Sequence, residues 1–242
     1  MSEPDRILGH VVGLWRYPVK SMGAEALVET DVSWNGFAGD RRWAFVRDGV
    51  ERSGFPWLTL RERADLSHYR PSFVEPERPN ASRTMVRTPA GNEFDVADPA
   101  LATELGEGVR VIKHDRGVFD TMPLSVITTQ TIAALGVLTG SELDVMRFRP
   151  NLLIEATTDS AFPEDTWVGS VLNIGELQMR VDARDKRCVV VNIDPVTTGR
   201  NPVVLRAIAN DRQACVGVYG STVQPGRVAV GDLVVQAAEL LL

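Results

Sequence analysis

Met85-Val86-Arg87-Thr88-Pro89-Ala90-Gly91-Asn92-Glu93-Phe94-Asp95-Val96 is the stretch of this sequence that shows the fold class most plainly. Two short runs of β-type residues, 85–87 and 94–96, flank four residues, 89–92, that are typical of a turn. Proline, glycine and asparagine adopt turn backbone at low cost, whereas the flanking residues suit a pleated, half-buried surface. The stretch therefore predicts a β-hairpin.

The rest of the first hundred residues repeats this pattern of short strands separated by glycine and proline. Strands are predicted at 7–14, 26–32 and 43–46. The polar stretch 75–80 contains two prolines, which cannot continue a hydrogen-bonded ladder, and it is predicted to be a surface loop. Residues 98–108 are predicted to form a short helical connection, and a domain boundary is placed there. The first domain is accordingly expected to span residues 1–108.

The remaining residues, 109–242, are predicted to form a second domain that is also mainly β. Its predicted strands are 109–112, 123–127, 152–154, 175–181, 189–193, 216–219, 228–230 and 233–235. A helix over 130–135 is expected to begin at an N-cap hydroxyl of Thr128 or Thr129 and to end at Gly136. Asn201 and Pro202 begin a second helix. Many short strands with a few short helices predict a mainly β, α+β protein of barrel-like architecture.

Composition and charge exclude several classes of protein. The chain has 242 residues, of which 44% are hydrophobic and 24% charged, as is typical of a globular protein. No apolar run approaches the roughly 18–20 residues of a membrane span, and the first ten residues lack the apolar segment of a secretory signal. We expect a soluble, cytoplasmic protein with no membrane partner. The net charge of −6 repels polyanions, so nucleic acid is not an expected partner.

The common nucleotide-binding and acyl-transfer motifs are absent from the sequence, and its three histidines are far apart and are interpreted as structural. Cationic residues recur beside turns and beside a cysteine: Lys20, Arg41, Arg42, Arg147, Arg149, Lys186 and Arg187. They could form one pocket for an anionic ligand, since guanidinium groups bind phosphate oxygens in a bidentate manner. Alternatively, they are scattered surface charges, because periodicity alone does not bring these segments together.

The two cysteines are too few for a disulfide framework. Cys188 follows two cations, which favour the reactive thiolate form. It also precedes three valines, so it could equally be a small hydrophobic residue at the start of a strand. Cys215 has no cationic neighbour closer than Arg212 and is predicted to be buried.

An ordered set of short motifs resembles the MOSC family, named after the molybdenum cofactor sulfurase C-terminal domain. The motifs are Tyr17-Pro18-Val19-Lys20-Ser21, Gly39-Asp40-Arg41-Arg42-Trp43, Leu58-Thr59-Leu60-Arg61, Arg147-Phe148-Arg149-Pro150-Asn151, Glu164-Asp165 with Trp167, Arg187-Cys188, Asp194-Pro195, Tyr219-Gly220, Pro225-Gly226 and Gly231-Asp232. The set spans almost the whole chain. It is most similar to members in which an N-terminal β-barrel-like domain packs against a MOSC β-barrel domain, as in the mitochondrial amidoxime reducing component.

The resemblance implies that the protein binds the molybdenum cofactor, a pterin that carries a dithiolene and a phosphate (molybdopterin). Cys188 lies at the position of the metal ligand and is the expected catalytic residue. The residues implied to bind the pterin and its phosphate are Lys20, Ser21, Arg41, Thr128, Arg147, Arg149, Asn151 and Arg187. The resemblance therefore implies that the separate cations form one anion pocket, and that the Cys188 thiolate beside it is a soft sulfur ligand.

Two positions depart from the family pattern. Thr128-Thr129 stands where relatives often carry a serine and an acidic residue, and Lys186 stands where amidoxime-reducing members carry a small hydroxyl residue. The resemblance implies a molybdenum-dependent reductase of N-hydroxylated or N-oxidised small molecules. Because no iron–sulfur module follows Leu242, a separate flavin or iron–sulfur protein is expected to supply electrons. The alternatives are a sulfur-transfer module with a Cys188 persulfide and a non-catalytic cofactor carrier.

Overall fold

The computed structural model describes residues 6–50 and 53–237. Its strands are β1 (Arg6–Arg16), β2 (Glu25–Leu27), β3 (Glu29–Ser33), β4 (Gly36–Phe37), β5 (Trp43–Arg47), β6 (Arg70–Phe73), β7 (Thr84–Arg87), β8 (Glu93–Asp95), β9 (Val109–Lys113), β10 (Leu124–Thr128), β11 (Leu152–Ala156), β12 (Val171–Ile174), β13 (Leu177–Lys186), β14 (Cys215–Gln224), β15 (Gly226–Ala229) and β16 (Leu233–Gln236). The α-helices in these ranges are α1 (Pro99–Leu105), α2 (Thr129–Thr139) and α3 (Pro202–Arg212). Short 3-10 helices cover Ala64–His68, Val145–Arg147, Pro163–Trp167 and Val189–Asn192.

A closed barrel of seven strands forms the centre of the fold. Its strands follow the order β11-β10-β14-β13-β12-β16-β1, and β1 closes the ring because it pairs with both β16 and β11. Large apolar side chains fill the interior, among them Leu152, Leu172 and Val218. Burial of this apolar surface is the main stabilising contribution, at roughly 25 cal/mol per Å². The predicted mainly β, barrel-like fold is confirmed.

Smaller sheets beside the barrel form a second apolar core. The predicted hairpin is confirmed as β7 and β8, which join β6 in an antiparallel sheet. Strand β9 pairs with β5, so a sheet crosses the predicted boundary at residue 108, while β1 belongs to the barrel. The outer limits of the predicted domains, residues 1 and 242, lie outside the described residues.

Two of the predicted helix signals are confirmed and one is wrong. The Thr128 hydroxyl accepts a hydrogen bond from the Thr131 N–H at 3.2 Å and caps α2 as predicted. Asn201 caps α3 in the same way. Gly136, however, does not end α2, which continues to Thr139 and stops at Gly140. The reason is conformational: Gly140 adopts the left-handed backbone that terminates helices, with φ of 66°.

Two predicted strands are also wrong. Most of the predicted strand 189–193 is a 3-10 helix, Val189–Asn192, because the N–H of Val191 bonds back to the Cys188 carbonyl at 3.2 Å. The predicted strand 26–32 is divided at the exposed Val28, since β2 pairs with β1 whereas β3 pairs with β15 in another sheet. Within the described ranges, no helix has the length and apolar content that a membrane-spanning segment needs.

Candidate functional site

A cavity of about 430 Å³ opens where segments of both halves of the chain meet. Eight of the nine predicted site residues line it: Lys20, Ser21, Arg41, Arg147, Arg149, Asn151, Arg187 and Cys188. They come from separate segments, one after β1, one before β5, one before β11 and one after β13. Six of the seven cations named in the sequence analysis thus line one space and are not scattered surface charges, whereas Arg42 does not line it.

Thr128 is the predicted site residue that does not line this cavity. Its side chain is fully buried at the start of α2, where its hydroxyl donates to Glu164 Oε2 at 2.7 Å. Thr131 donates to the same oxygen at 2.7 Å. Burial raises the pKa of Glu164, and these hydroxyl groups offset part of that effect. We therefore correct the assignment: Thr128 caps a helix and satisfies a buried carboxyl group.

Asp40 organises one wall of the cavity, although it is completely buried. Its carboxylate accepts hydrogen bonds from the Tyr17 N–H at 2.7 Å, from Asn151 Nδ2 at 3.2 Å and from the Arg41 guanidinium. The Asn151 amide oxygen in turn accepts from the Ser125 N–H at 3.2 Å. Because its amide is already occupied by protein groups, Asn151 acts mainly by holding the wall in place.

Tyr17 provides the surface on which two cavity arginines rest. The guanidinium carbon of Arg41 lies 4.6 Å from the centre of the Tyr17 ring, and that of Arg149 lies 4.3 Å from it. Arg41 also donates to the Arg149 carbonyl at 3.2 Å. Cation–π contacts of this kind fix the planes of both guanidinium groups. The two charges are thus held close together before any ligand binds.

Three cavity residues adopt left-handed backbone, which is unfavourable for residues other than glycine. The φ angles are 68° at Ser21, 49° at Arg41 and 51° at Arg149. Each such residue costs about 1–3 kcal/mol, and such strain clusters at functional sites. The surrounding hydrogen bonds maintain it here, for example that from the Arg41 N–H to the Tyr17 carbonyl at 2.7 Å.

The electrostatics of the cavity favour an anionic ligand. Burial lowers the pKa of Arg149 to about 10, and the neighbouring Arg41 contributes to this. Burial also lowers the pKa of Lys20, although its ion pair with Asp120 at 2.5 Å offsets part of the effect. Both shifts mean that burial destabilises the cationic forms of these two side chains. A bound anion would relieve this destabilisation.

Cys188 carries a free, half-buried thiol at the cavity wall, immediately before a 3-10 helix. It does not begin a strand, because β13 ends at Lys186. Burial lowers the pKa of Arg61, but a hydrogen bond and charge interaction with Cys188, together with the charges of Asp120 and Glu62, outweigh burial and raise it. The thiol sulfur therefore faces a cation supplied by a distant loop, in addition to those next to it in sequence.

Two neighbours of Cys188 differ in burial. Arg187 donates from Nε to the Val216 carbonyl at 2.7 Å and pairs through Nη1 with Asp185 at 2.9 Å, which anchors it in the barrel rim. Lys186 lines the cavity with an exposed side chain. Cys215 was predicted to be buried, and this is wrong, because it is half-exposed where β14 begins and carries a free thiol.

Unpartnered buried N–H groups indicate that the cavity wall is built for a ligand. Among the described residues, Arg147 Nε and Nη1, Arg149 Nη2 and Arg187 Nη2 are buried without a hydrogen-bond partner. A buried unsatisfied donor costs about 1–3 kcal/mol, more when it is charged. A phosphate supplies several acceptor oxygens for such donors, and a thiolate suits a metal that sulfur already binds. The donor set thus fits a phosphorylated, sulfur-ligated metal cofactor.

Sequence reasoning missed several residues of the cavity wall. Arg61, Tyr17 and Tyr219 lie within motifs that the sequence analysis recognised, yet their roles depend on contacts between distant segments. Asp120 lies outside every recognised motif, and nothing in its local sequence indicates its pairing with Lys20. Asp185 precedes Cys188 by three residues, and this closeness to the Arg187-Cys188 motif was the signal that could have identified it as a cavity residue.

Comparison with known proteins agrees with this architecture. The sequence model of the MOSC domain matches residues 113–235, and that of the MOSC N-terminal beta barrel domain matches residues 8–117. The crystal structure of the YUAD protein from Bacillus subtilis superposes with a TM-score of 0.55 at 11% identity, covering 99% of this chain and 100% of that one. At that identity the similarity shows the fold alone.

Two curated relatives are also similar to this chain in sequence. A molybdenum cofactor sulfurase of Caenorhabditis briggsae is 23% identical over 266 aligned residues, covering 92% of this chain and 35% of the relative. Mitochondrial amidoxime-reducing component 1 of Danio rerio is 28% identical over 145 residues, covering 58% of this chain and 36% of the relative. The chain thus spans about a third of the length of these relatives. Its closed barrel, its cation-lined cavity and the match over residues 113–235 lead to one conclusion: the chain belongs to the MOSC domain family.

Proposed function

We propose that this protein binds the molybdenum cofactor and reduces N-hydroxylated or N-oxidised small molecules. One observation carries the proposal: Lys20, Arg41, Arg149 and Arg187 converge on a single cavity that also contains the Cys188 thiol. The similarity to an amidoxime-reducing component supports it.

The side chains suggest a division of tasks within the cavity. Lys20, Ser21, Arg41 and Arg149 would hold the phosphate, and Arg187 would contact the pterin end, while Asn151 and Asp40 keep these groups oriented. Cys188 would supply a thiolate ligand to the metal. When bound, the cofactor supplies a metal centre that exchanges two electrons.

The overall reduction requires two protons. Converting an N–OH group to N–H and water consumes two electrons and two protons, and the oxygen leaves as water. Burial raises the pKa of Asp185 to about 6, so its carboxyl group is largely protonated only below about pH 6. Asp185 lines the same cavity as Cys188 and is a candidate to donate that proton to a substrate bound there. The electrons would come from a separate flavin or iron–sulfur protein.

A second candidate function is sulfur transfer, in which Cys188 carries a persulfide. The similarity to molybdenum cofactor sulfurases over 92% of the chain favours it. The Arg61 cation beside the thiol would stabilise a thiolate or persulfide anion as well as a metal-bound sulfur. Binding of the cofactor without turnover, as in a carrier, is the third alternative.

The decisive experiment measures molybdenum per chain and benzamidoxime reduction with a chemical reductant. The protein should be purified from a host that makes the cofactor, as wild type, Cys188→Ser and the matched control Cys215→Ser. We expect loading and activity in the wild type and in Cys215→Ser, and loss of activity in Cys188→Ser with folding intact. Full loading without reduction of any N-oxygenated substrate in a varied panel would reject the reductase. Intact-mass analysis that finds one added sulfur at Cys188 would support sulfur transfer instead.

A further inference from the structure

Lys186 stands apart from the other cations that line the cavity beside Cys188. Seven cationic side chains line this cavity, and four of them pair with carboxylates: Lys20 with Asp120, Arg41 with Asp40, Arg147 with Asp194 and Arg187 with Asp185. Arg149 rests on the Tyr17 ring, and Arg61 is hydrogen-bonded to Cys188. Within the described ranges, the exposed ammonium group of Lys186 has none of these contacts.

The backbone places Lys186 on the same side of the chain as the thiol. The chain stays extended beyond β13, because the Arg187 N–H donates to the Ala214 carbonyl at 2.8 Å and Cys188 has a φ of −120° and a ψ of −178°. Side chains alternate between two faces in extended chain. Asp185 and Arg187 pair with each other at 2.9 Å and so share one face. Lys186 and Cys188 therefore share the other, with their Cα atoms about 7 Å apart.

Lys186 lies at the open end of the cavity. The side chains of Asp185 and Arg187 are buried, whereas that of Lys186 is exposed. The half-buried ring of Phe55 lines the same cavity, and the Arg61 guanidinium stacks on it at 4.7 Å. A thiol, an aromatic ring and an unpaired ammonium group thus border the space that a substrate would enter.

The charge balance leaves Lys186 available for a second anion besides the phosphate of the proposed cofactor. Three of the seven cations lack a carboxylate partner: Arg61, Arg149 and Lys186. A phosphate monoester carries a charge of about −1.5 to −2 at neutral pH. About one positive charge therefore remains when the phosphate is bound, and Lys186 is the exposed cation on which it lies.

We propose that Lys186 gives the site a preference for N-oxygenated substrates that also carry a carboxylate group. Lys186 binds the carboxylate at the cavity mouth while the N–O group faces the Cys188 side of the cavity. The spacing between these two residues suits a small body, such as one benzene ring, between the two groups. This inference rests on the proposed reductase for the N–O group, but the preference for the carboxylate can be measured without turnover.

Two pairs of compounds measure the preference. 4-Carboxybenzamidoxime and benzamidoxime are compared as substrates by kcat/KM. 4-Carbamoylbenzoate and benzamide, which have no N–O bond to reduce, are compared as ligands by calorimetric titration of the full chain. Phosphate buffer is used, so that inorganic phosphate occupies Lys20 and Arg149 wherever the cofactor is absent. We expect the wild type to favour the carboxylate member of each pair about fivefold, and added salt to weaken this preference.

Three variants assign the preference to one side chain. Lys186→Met removes the charge and should bring both ratios to about one. Lys186→Arg keeps the charge and should retain the preference. Lys113→Met is the matched control, because Lys113 is an exposed lysine that does not line the cavity, and it should also retain the preference.

The outcomes separate this proposal from the reductase. A wild-type ratio near one, a ratio unchanged in Lys186→Met, or a ratio lost equally in Lys113→Met would each overturn the role of Lys186. A fully loaded protein that reduces neither amidoxime would reject the reductase. In that case tighter binding of 4-carbamoylbenzoate than of benzamide, lost in Lys186→Met, would still support a carboxylate site at Lys186.

Discussion

Replacing Asp40 with alanine tests whether one buried carboxylate holds the cavity wall together. The substitution removes the acceptor for Tyr17, Arg41 and Asn151 and leaves the Arg41 charge without its partner. Removing one member of a buried ion pair costs about 3–5 kcal/mol. We expect the free energy of unfolding to fall by that amount, against a total of roughly 5–15 kcal/mol for a typical domain.

Urea denaturation followed by circular dichroism measures this loss, with Asp31→Ala as the matched control. The Asp31 carboxylate is 74% exposed and lies 3.5 Å from Arg227, so its removal should cost less than about 1 kcal/mol. Asp40→Asn keeps one acceptor for the Tyr17 N–H but turns an NH₂ group towards other donors, and should give an intermediate loss. If Asp40→Ala were no less stable than Asp31→Ala, the proposed role of Asp40 would be refuted.

Three further substitutions test other parts of the structure. Burial raises the pKa of Asp185 from 3.8 to about 6, so the folded state holds this proton more tightly than the unfolded state does. The contribution of Asp185 to the free energy of unfolding should therefore fall as pH rises from 4 to 7. Asp185→Asn should remove that fall, worth about 3 kcal/mol, in denaturation curves taken across this pH range; parallel curves for both proteins would contradict it. Gly136→Ala should raise the free energy of unfolding by about 0.5–1 kcal/mol, because Gly136 lies inside α2 and an added Cβ would meet the Ser141 carbonyl at 3.4 Å, an ordinary contact; a lower melting temperature would argue against this. Thr128→Val should cost about 1–2 kcal/mol through loss of the helix cap, whereas Thr129→Val, the neighbouring control, should cost less; equal melting temperatures would contradict the capping role.

Local sequence signals predicted the fold where structure is determined locally. The β7–β8 hairpin and the N-caps of α2 and α3 follow from turn and capping residues that act within a few positions. The errors arose where the type of residue and the backbone conformation disagree. Residues 189–193 are rich in valine, which favours strands, yet Val189–Asn192 forms a 3-10 helix beside the cavity. At Gly136 the type of residue suggested a helix end, but its backbone conformation did not provide one.

The site could be predicted only in part. The cations and Cys188 were identified because they lie in short motifs whose order resembles a family. Their convergence could not follow from spacing alone, since Arg41 and Arg149 are far apart in sequence and meet on the Tyr17 ring. Asp120 was missed for the same reason: its ion pair with Lys20 joins residues one hundred positions apart. Thr128 was assigned to the cavity through the resemblance to the family, but its hydroxyl donates to Glu164.

Strand β1 has a consequence for how the protein is made. Residues 6–16 leave the ribosome well before their hydrogen-bonding partners in β11 and β16, the last of which are residues 233–236. At usual translation speeds this delay is roughly 10–40 s. During that time the edges of an unfinished sheet are open to other nascent chains. Ribosome-bound fragments that stop before β16 should therefore be sensitive to protease, and resistance should appear only once that strand has emerged.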